Sequence, residues 1–242
     1  MTETVQGIIL KYIQFQDNIR IVTIFTEKFG KRSFMLYFSN SKKSLNKIKI
    51  IQPLYWVDLT FRYKPNFKLQ KIKEIVLHTP YESIPYSVKK TSIAFLLAEV
   101  LNKVIIEQYY DKQLFDFITN SLMFLDMNDS GTENFHLVFL AKLSRFLGFM
   151  PHDNFSEQNK FFSLKEGEFI SRFDNSETLN NSSSERFHFL LNTDFDQMIN
   201  LKLNRQQRQN LLEGILKFYG YHIENFLPIK SAEVLHTVFD SD

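Results

Sequence analysis

The sequence predicts an α+β chain: a small barrel of five strands over residues 1–80, then an α-helical region over 81–242 carrying a small hairpin insert. Three observations point there. Apolar residues alternate with period two through the first 80 residues. Beyond Pro80 they switch to the 3.6-residue period of amphipathic helices. Charge divides at the same place. Residues 1–80 hold 14 Lys and Arg against 5 Asp and Glu, a balance of +9, whereas residues 81–242 hold 15 against 22, a balance of −7. The formal charge of +2 hides this asymmetry. A basic module ahead of an acidic one suggests that the first part meets a polyanion.

The elements follow in order. "GIILKYIQF" is an apolar strand, "IRIVTIFTEKFG" a second that ends in a turn at Gly30, and "KRSFMLYF" a third. In "LYWVDLTFRYK" Tyr55, Val57, Leu59, Phe61 and Tyr63 take one face, and Trp56, Asp58, Thr60, Arg62 and Lys64 the other. After a turn at Pro65 and Asn66, "LQKIKEIVLH" is the fifth strand, with Lys71 and Lys73 on one side. Five short strands rich in β-branched and aromatic residues fit a closed or nearly closed barrel, and an SH3-like barrel satisfies the same count.

Ile93, Leu96, Leu97, Val100, Leu101 and Val104 form the stripe of a first helix. Leu114, Phe117, Ile118, Leu122 and Leu125 form a second, begun by an Asp111 N-cap. A third runs from Phe135 to Leu147 and stops at Gly148. "FFSLKEGEFISRF" predicts a hairpin around Glu166 and Gly167, and the polar "DNSETLNNSSSE" after it predicts a flexible loop. Asn204 with Gln207 predicts a capping box at the start of "RQQRQNLLEGILKFYGY", and "SAEVLHTVF" closes the chain as a last helix.

Composition excludes several classes. With no cysteine, disulfides and thiolate metal sites are excluded. The first residues lack a secretory leader's basic and apolar regions, and no apolar run approaches the roughly 18 to 20 residues of a spanning helix. The expectation is a cytoplasmic, nucleoid-associated protein without a membrane partner. The 26 Phe and 10 Tyr predict a phenylalanine-rich core. No catalytic motif is present: the seven glycines form no phosphate loop, and the six histidines have no ligand spacing. No acidic set suits a two-metal nuclease. The expectation is therefore no catalytic residue, no metal and no cofactor.

What remains is the basic barrel. Single-stranded nucleic acid is held by cations along its phosphates and by aromatic rings on which bases stack. The candidate cations are Arg20, Lys31, Arg32, then Lys42, Lys43, Lys47 and Lys49 in the loop "SNSKKSLNKIK", and Arg62, Lys64, Lys71 and Lys73. Trp56, on the polar face of its strand, is either a stacking platform or a ring covered by the neighbouring domain, and Tyr37 is a second aromatic candidate. Lysine is a point charge that tolerates many phosphate positions, which suits sequence-independent binding.

Several phrases, taken in order, resemble RecO, the bacterial recombination mediator of DNA repair. "TVQGIILKYIQFQDNIRIVTIFTEKFG" is similar to that family's opening strands, and "SNSKKSLNKIKIIQPL" stands where the family has a basic loop. "LSRFLGFMP" resembles its helix end, and "GYHIENFLPIKSAEVL" its closing segment, with Lys230 and Ser231 as the recognisable pair. The resemblance implies an oligonucleotide-binding (OB) barrel over residues 1–80 and a helical domain over 81–242. It implies binding of single- and double-stranded DNA, annealing of complementary strands, and capture of the acidic C-terminal tail of single-strand-binding protein. With RecR, it implies help in loading RecA. For the tail, a hydrophobic notch with a basic rim is expected on the helical domain, Arg145, Arg205 and Arg208 being candidate rims.

One departure stands out. Family members often carry a zinc site, its first C-x-x-C just after the L-G-x-x-P phrase, where this chain has Ser156 and Asn159. Residues 150–192 then form a degenerate zinc-finger-like insert, to be held by Phe155, Phe161, Phe162 and Phe169 instead of metal. Two readings of other classes stand beside the mediator. One is a protein-interaction adaptor whose OB- or SH3-like barrel has no nucleic-acid role, and the other is an enzyme acting on DNA.

Overall fold

The computed structural model describes residues 1–39 and 47–240. Five strands form a closed barrel: β1 (Thr2–Gln16), β2 (Ile19–Thr26), β3 (Gly30–Tyr37), β4 (Trp56–Arg62) and β5 (Leu69–Leu77). The order around it is β1-β2-β3-β5-β4, with β3 and β5 parallel and the other registered pairs antiparallel. That closed five-stranded order fits the OB barrel and leaves no long free edge.

Alternation places the core. Val57, Leu59 and Phe61 of β4 are fully buried, and they meet Val5, Ile9, Val22, Ile24, Phe34, Leu36, Ile72 and Ile75 inside the barrel. Burying each large aliphatic or aromatic side chain contributes roughly 1.5–3 kcal/mol relative to exposure. The β2–β3 turn needs its glycine. Gly30 has φ +65°, and a Cβ there would lie 2.2 Å from the Tyr109 carbonyl oxygen.

Beyond the barrel run α1 (Val88–Val104) and α2 (Lys112–Met127). Asp111 caps α2 by accepting from the Leu114 N–H at 2.9 Å. Both helices belong to the same compact unit as the barrel, Met1–Met127, and a second unit comprises Asn128–Asp242. The change of period at Pro80 is thus a change of element type, while packing divides the chain later. α1 lays Ile93, Leu96, Leu97, Val100 and Leu101 into the first unit's interior, and Phe115 of α2 meets Phe25 of β2 at 5.8 Å between ring centroids.

The second unit contains α3 (Phe135–Phe146), a hairpin of β6 (Phe161–Phe162) and β7 (Phe169–Ile170), α4 (Asn181–Leu191), α5 (Arg205–His222) and α6 (Ser231–Asp240). Gly148 follows α3 with φ +82°, and Asn204 and Gln207 form the expected capping box at α5. The polar stretch at 174–185 departs from the flexible loop expected of it. The Asp174 carboxylate accepts from the Ser176 and Glu177 N–H groups at 2.8 and 3.2 Å, forming a fixed turn. Asn180 then caps α4 by accepting from the Ser183 N–H at 2.9 Å. Asn, Ser and Asp weaken helix interiors because they bond nearby backbone, and the same ability makes them caps. Composition alone therefore hid a helix whose burial of Phe187 and Leu190 holds it in place.

Candidate nucleic-acid interface

Register decides which side chains share a surface, because directly opposed residues point to the same side of a sheet. Val22 opposes Phe34 and both face the core. The neighbouring rows therefore face outward. In one row, Ile13 opposes Ile21, Ile21 opposes Met35, and Met35 opposes Lys71, across β1, β2, β3 and β5. In the next, Lys11 opposes Thr23, Thr23 opposes Ser33, and Ser33 opposes Leu69. Tyr37 closes the face at the end of β3, with the Lys71 ammonium 4.4 Å from its ring centroid. The other end of this face is covered: Phe25 packs on α2, and the Lys31 ammonium donates to the Asn102 carbonyl of α1 at 2.7 Å.

β1 and β2 continue past the barrel as a hairpin arm, residues 11–18 being exposed throughout. The Arg20 guanidinium lies 5.0 Å from the Tyr12 ring centroid and 5.6 Å from that of Phe38, and its Nε donates to Gln14 Oε1 at 3.2 Å. Such cation–π contacts hold the charge at a fixed place on the arm. The outer rows offer Lys11 and Lys71 among exposed apolar and aromatic groups, and the other side of the arm's base offers Arg20.

The twelve candidate residues divide as follows. Lys71 belongs to this face, whereas Arg20 opposes the buried Leu36 and so stands on the other side of the sheet, at the base of the arm. Lys47 and Lys49 sit on a helical turn before β4, and Lys42 and Lys43 lie outside the described residues. Arg62 ends β4 opposite Thr2, whose hydroxyl accepts from Lys73 at 3.0 Å, so this pair of cations lies on the β1–β4–β5 side. Lys64 stands 4.8 Å over the Phe67 ring in the β4–β5 connection. Two candidates are withdrawn from solvent, Lys31 on this face but covered by α1 and Arg32 on the core side. Burial pushes the Lys31 ammonium below its ordinary pKa, against a smaller upward pull from Glu107. Arg32 is only 9% exposed, since it points to the core side beside Ile24 and donates from Nε to the Phe29 carbonyl at 3.2 Å. Trp56 has a ring at 4.3 Å from His78, which pairs with Asp58 at 3.0 Å. One face of that indole is therefore engaged within its own barrel.

Sequence reasoning missed Lys11 and the aromatic arm. The signal was present as Tyr12, Phe15 and Arg20 flanking the Asp17–Asn18 turn, but only the pairing shows that these residues stand clear of the barrel.

The second unit holds a separate concavity. Leu212, Leu235 and Phe239 from α5 and α6 line it, with Arg205, Arg208 and His236 beside them. Arg208 is steadied by donating to the Leu203 carbonyl at 2.8 Å. His136 of α3 also lines the notch, and its Nδ1 is buried without a partner among the described residues. Burial, helped by the Arg208 and His236 charges, lowers its pKa to about 3, so the ring stays neutral. Two of the three candidate rim arginines thus come together, whereas Arg145 is exposed in the last turn of α3 and does not line the notch.

The zinc that the family resemblance implies does not fit the residues present. Ser156 and Asn159 close their turn on each other: the Asn159 N–H donates to Ser156 Oγ at 3.1 Å, and the Ser156 N–H to the Asn159 carbonyl at 3.2 Å. Neither is a credible zinc ligand, and no group of three or more His, Cys, Asp or Glu is placed to hold a metal among the described residues. Aromatic packing occupies the insert. Phe162 meets Phe169, Phe187 and Phe218 at 5.2, 4.5 and 5.5 Å, and Phe155 meets Phe169 at 5.3 Å. Phe161 lies on the other side of the hairpin, against Phe173 at 5.3 Å.

Barrel topology and this outer face define the class: an OB-barrel protein with a second, helical unit. Comparison narrows it. The model of the N-terminal part of recombination protein O matches residues 1–81, and that of its C-terminal part matches residues 86–233. The DNA repair protein RecO of Bacteroides fragilis is 33% identical over 242 residues, covering 99% of this chain and 100% of that protein. Those of Azobacteroides pseudotrichonymphae and Flavobacterium psychrophilum are 32% and 33% identical, each covering 97% of this chain and 98% of its own. The chain belongs to the RecO family of DNA repair and recombination proteins.

Proposed function

We propose that this protein is a non-enzymatic recombination mediator. It binds single- and double-stranded DNA through the barrel, anneals complementary strands and, with RecR, helps to load RecA on DNA coated with single-strand-binding protein. The observation that carries the reading is the outer face of the barrel, where Lys11 and Lys71 flank an apolar surface open to a strand, with Arg20 at the base of the adjoining arm. Phosphate neutralisation by such cations releases counterions, so affinity falls with salt. About five contacts to a single strand give a slope of log affinity against log salt near −3.5, at ~0.7 per contact.

Titration of a labelled oligonucleotide at several salt concentrations tests this. A slope of about that size supports the reading, and absence of binding in dilute buffer overturns it in favour of the adaptor. Progressive cleavage of labelled DNA with Mg²⁺ would overturn the non-enzymatic part.

The helical unit supports the partner assignment. A peptide ending in acidic residues, an apolar side chain and a free carboxylate suits a notch with an apolar lining and arginines beside it. The expected result is that Arg205→Ala weakens binding of the acidic tail of single-strand-binding protein severalfold and leaves oligonucleotide affinity unchanged. Equal tail binding by both proteins would move the tail site elsewhere.

A further inference from the structure

We propose that the β1–β2 arm is a base-stacking platform centred on Phe15, which makes the barrel prefer unpaired strands over duplex. The inference rests on the reading of the barrel as a DNA-binding surface and adds the form of DNA it grips.

Phe15 lies at a β-bulge: Gln14 opposes Arg20 and Gln16 opposes Ile19, which leaves Phe15 without an opposite residue. A bulge re-aims the side chain of its extra residue and increases local twist. The ring is 56% exposed at the end of the arm, with Ile13 45% exposed on the same ribbon. Other barrel rings are engaged. Tyr12 and Phe38 have Arg20 over them, Tyr37 has Lys71, Phe67 has Lys64, and Trp56 has His78. Among the described residues, no ring or cation lies over Phe15.

Folding does not account for the placement, since an exposed Phe forgoes the stabilisation that burial would give. A base does account for it. Every base has an apolar π-face, and stacking on an aromatic ring is worth roughly 5- to 150-fold in affinity per base. In a duplex those faces are hidden by neighbouring bases. Lys11 on the arm and Arg20 at its base, opposite Gln14 and over Tyr12, bring the charge that a strand's phosphates need, which favours an oligonucleotide over an apolar protein segment as the occupant.

The test uses the full chain and three labelled probes: a single strand, an abasic single strand of equal length, and a duplex. Phe15→Ala should weaken the single strand by at least about fivefold. The salt slope and the melting temperature should stay unchanged, and both proteins should bind the abasic strand and the duplex equally. Phe15→Trp should restore affinity, because a second aromatic ring serves as well. If Phe15→Ala leaves single-strand affinity unchanged, or weakens the abasic strand equally, the stacking platform is refuted while DNA binding stands. If the unaltered chain binds none of the probes, DNA binding itself fails.

Discussion

Asp126, at the end of α2, accepts hydrogen bonds from the backbone N–H groups of Glu82, Ser83 and Ile84 at 2.7, 2.8 and 2.8 Å. The Lys90 ammonium donates to the Ser83 hydroxyl at 2.7 Å and completes the cluster. Burial pushes the Asp126 carboxyl up, but the bonds from Ile84, Glu82 and Ser83 outweigh it and hold the group below its ordinary pKa. A carboxyl depressed on folding contributes stability above its unfolded pKa of about 3.9, and that contribution is lost as pH falls through the folded value. Asp126→Asn should therefore lower the melting temperature at pH 7, with the gap to the unaltered chain closing as pH falls toward 3. Thermal melts at the two pH values check it. Asn154 acts similarly in the insert, where Oδ1 accepts from the Phe169 N–H at 2.7 Å and Nδ2 donates to the Phe169 carbonyl at 3.0 Å. Asn154→Ala leaves two partly buried backbone groups unpaired, and should cost about 1–3 kcal/mol in a denaturant titration.

At the scale of elements, ends and hairpins carry the specific information. The capping box of α5 joins Asn204 Oδ1 to the Gln207 N–H at 2.9 Å and Gln207 Oε1 to the Asn204 N–H at 2.8 Å. Asn204→Ala should cost ~1 kcal/mol, or about 2–4 °C in a chain of this size, measured by thermal melting. The insert gives a second expectation. A fold held by Phe155, Phe162, Phe169 and Phe187 should keep its melting temperature and its resistance to protease in a strong chelator. A melting temperature that drops on chelation would show that a metal contributes after all.

Across the whole molecule, the excess of positive charge in residues 1–80 sets the expected salt response. Replacing Lys42, Lys43, Lys47 and Lys49 by alanine should lower DNA affinity and flatten the salt slope. Every phosphate that is no longer neutralised should flatten it by ~0.7 on a single strand. The expected outcome is a flatter slope with stability changed by no more than ~0.5 kcal/mol in thermal melts, since this separates a role on DNA from a role in the fold. Lys71→Ala should flatten the slope on its own, and Lys31→Ala should not, because the Lys31 ammonium already donates to Asn102 inside its unit.

Local pattern determined much of this protein. Alternation over Tyr55 to Tyr63 predicted which face of β4 is buried, Asp111 and Asn204 marked their helix starts, and the ordered phrases pointed to the family. These signals are legible because a period or a cap is a property of neighbours in the chain. Only the tertiary structure decided that Lys71 shares a face with Lys11 while Arg20 stands on the other side, that Arg32 turns inward, and that Phe15 stands bare on an arm. Those outcomes depend on the register of strands far apart in sequence, on bulges that re-aim one residue, and on what α1 and α2 cover. No local spacing encodes such contacts, because closing a barrel brings residues together by geometry rather than by sequence distance.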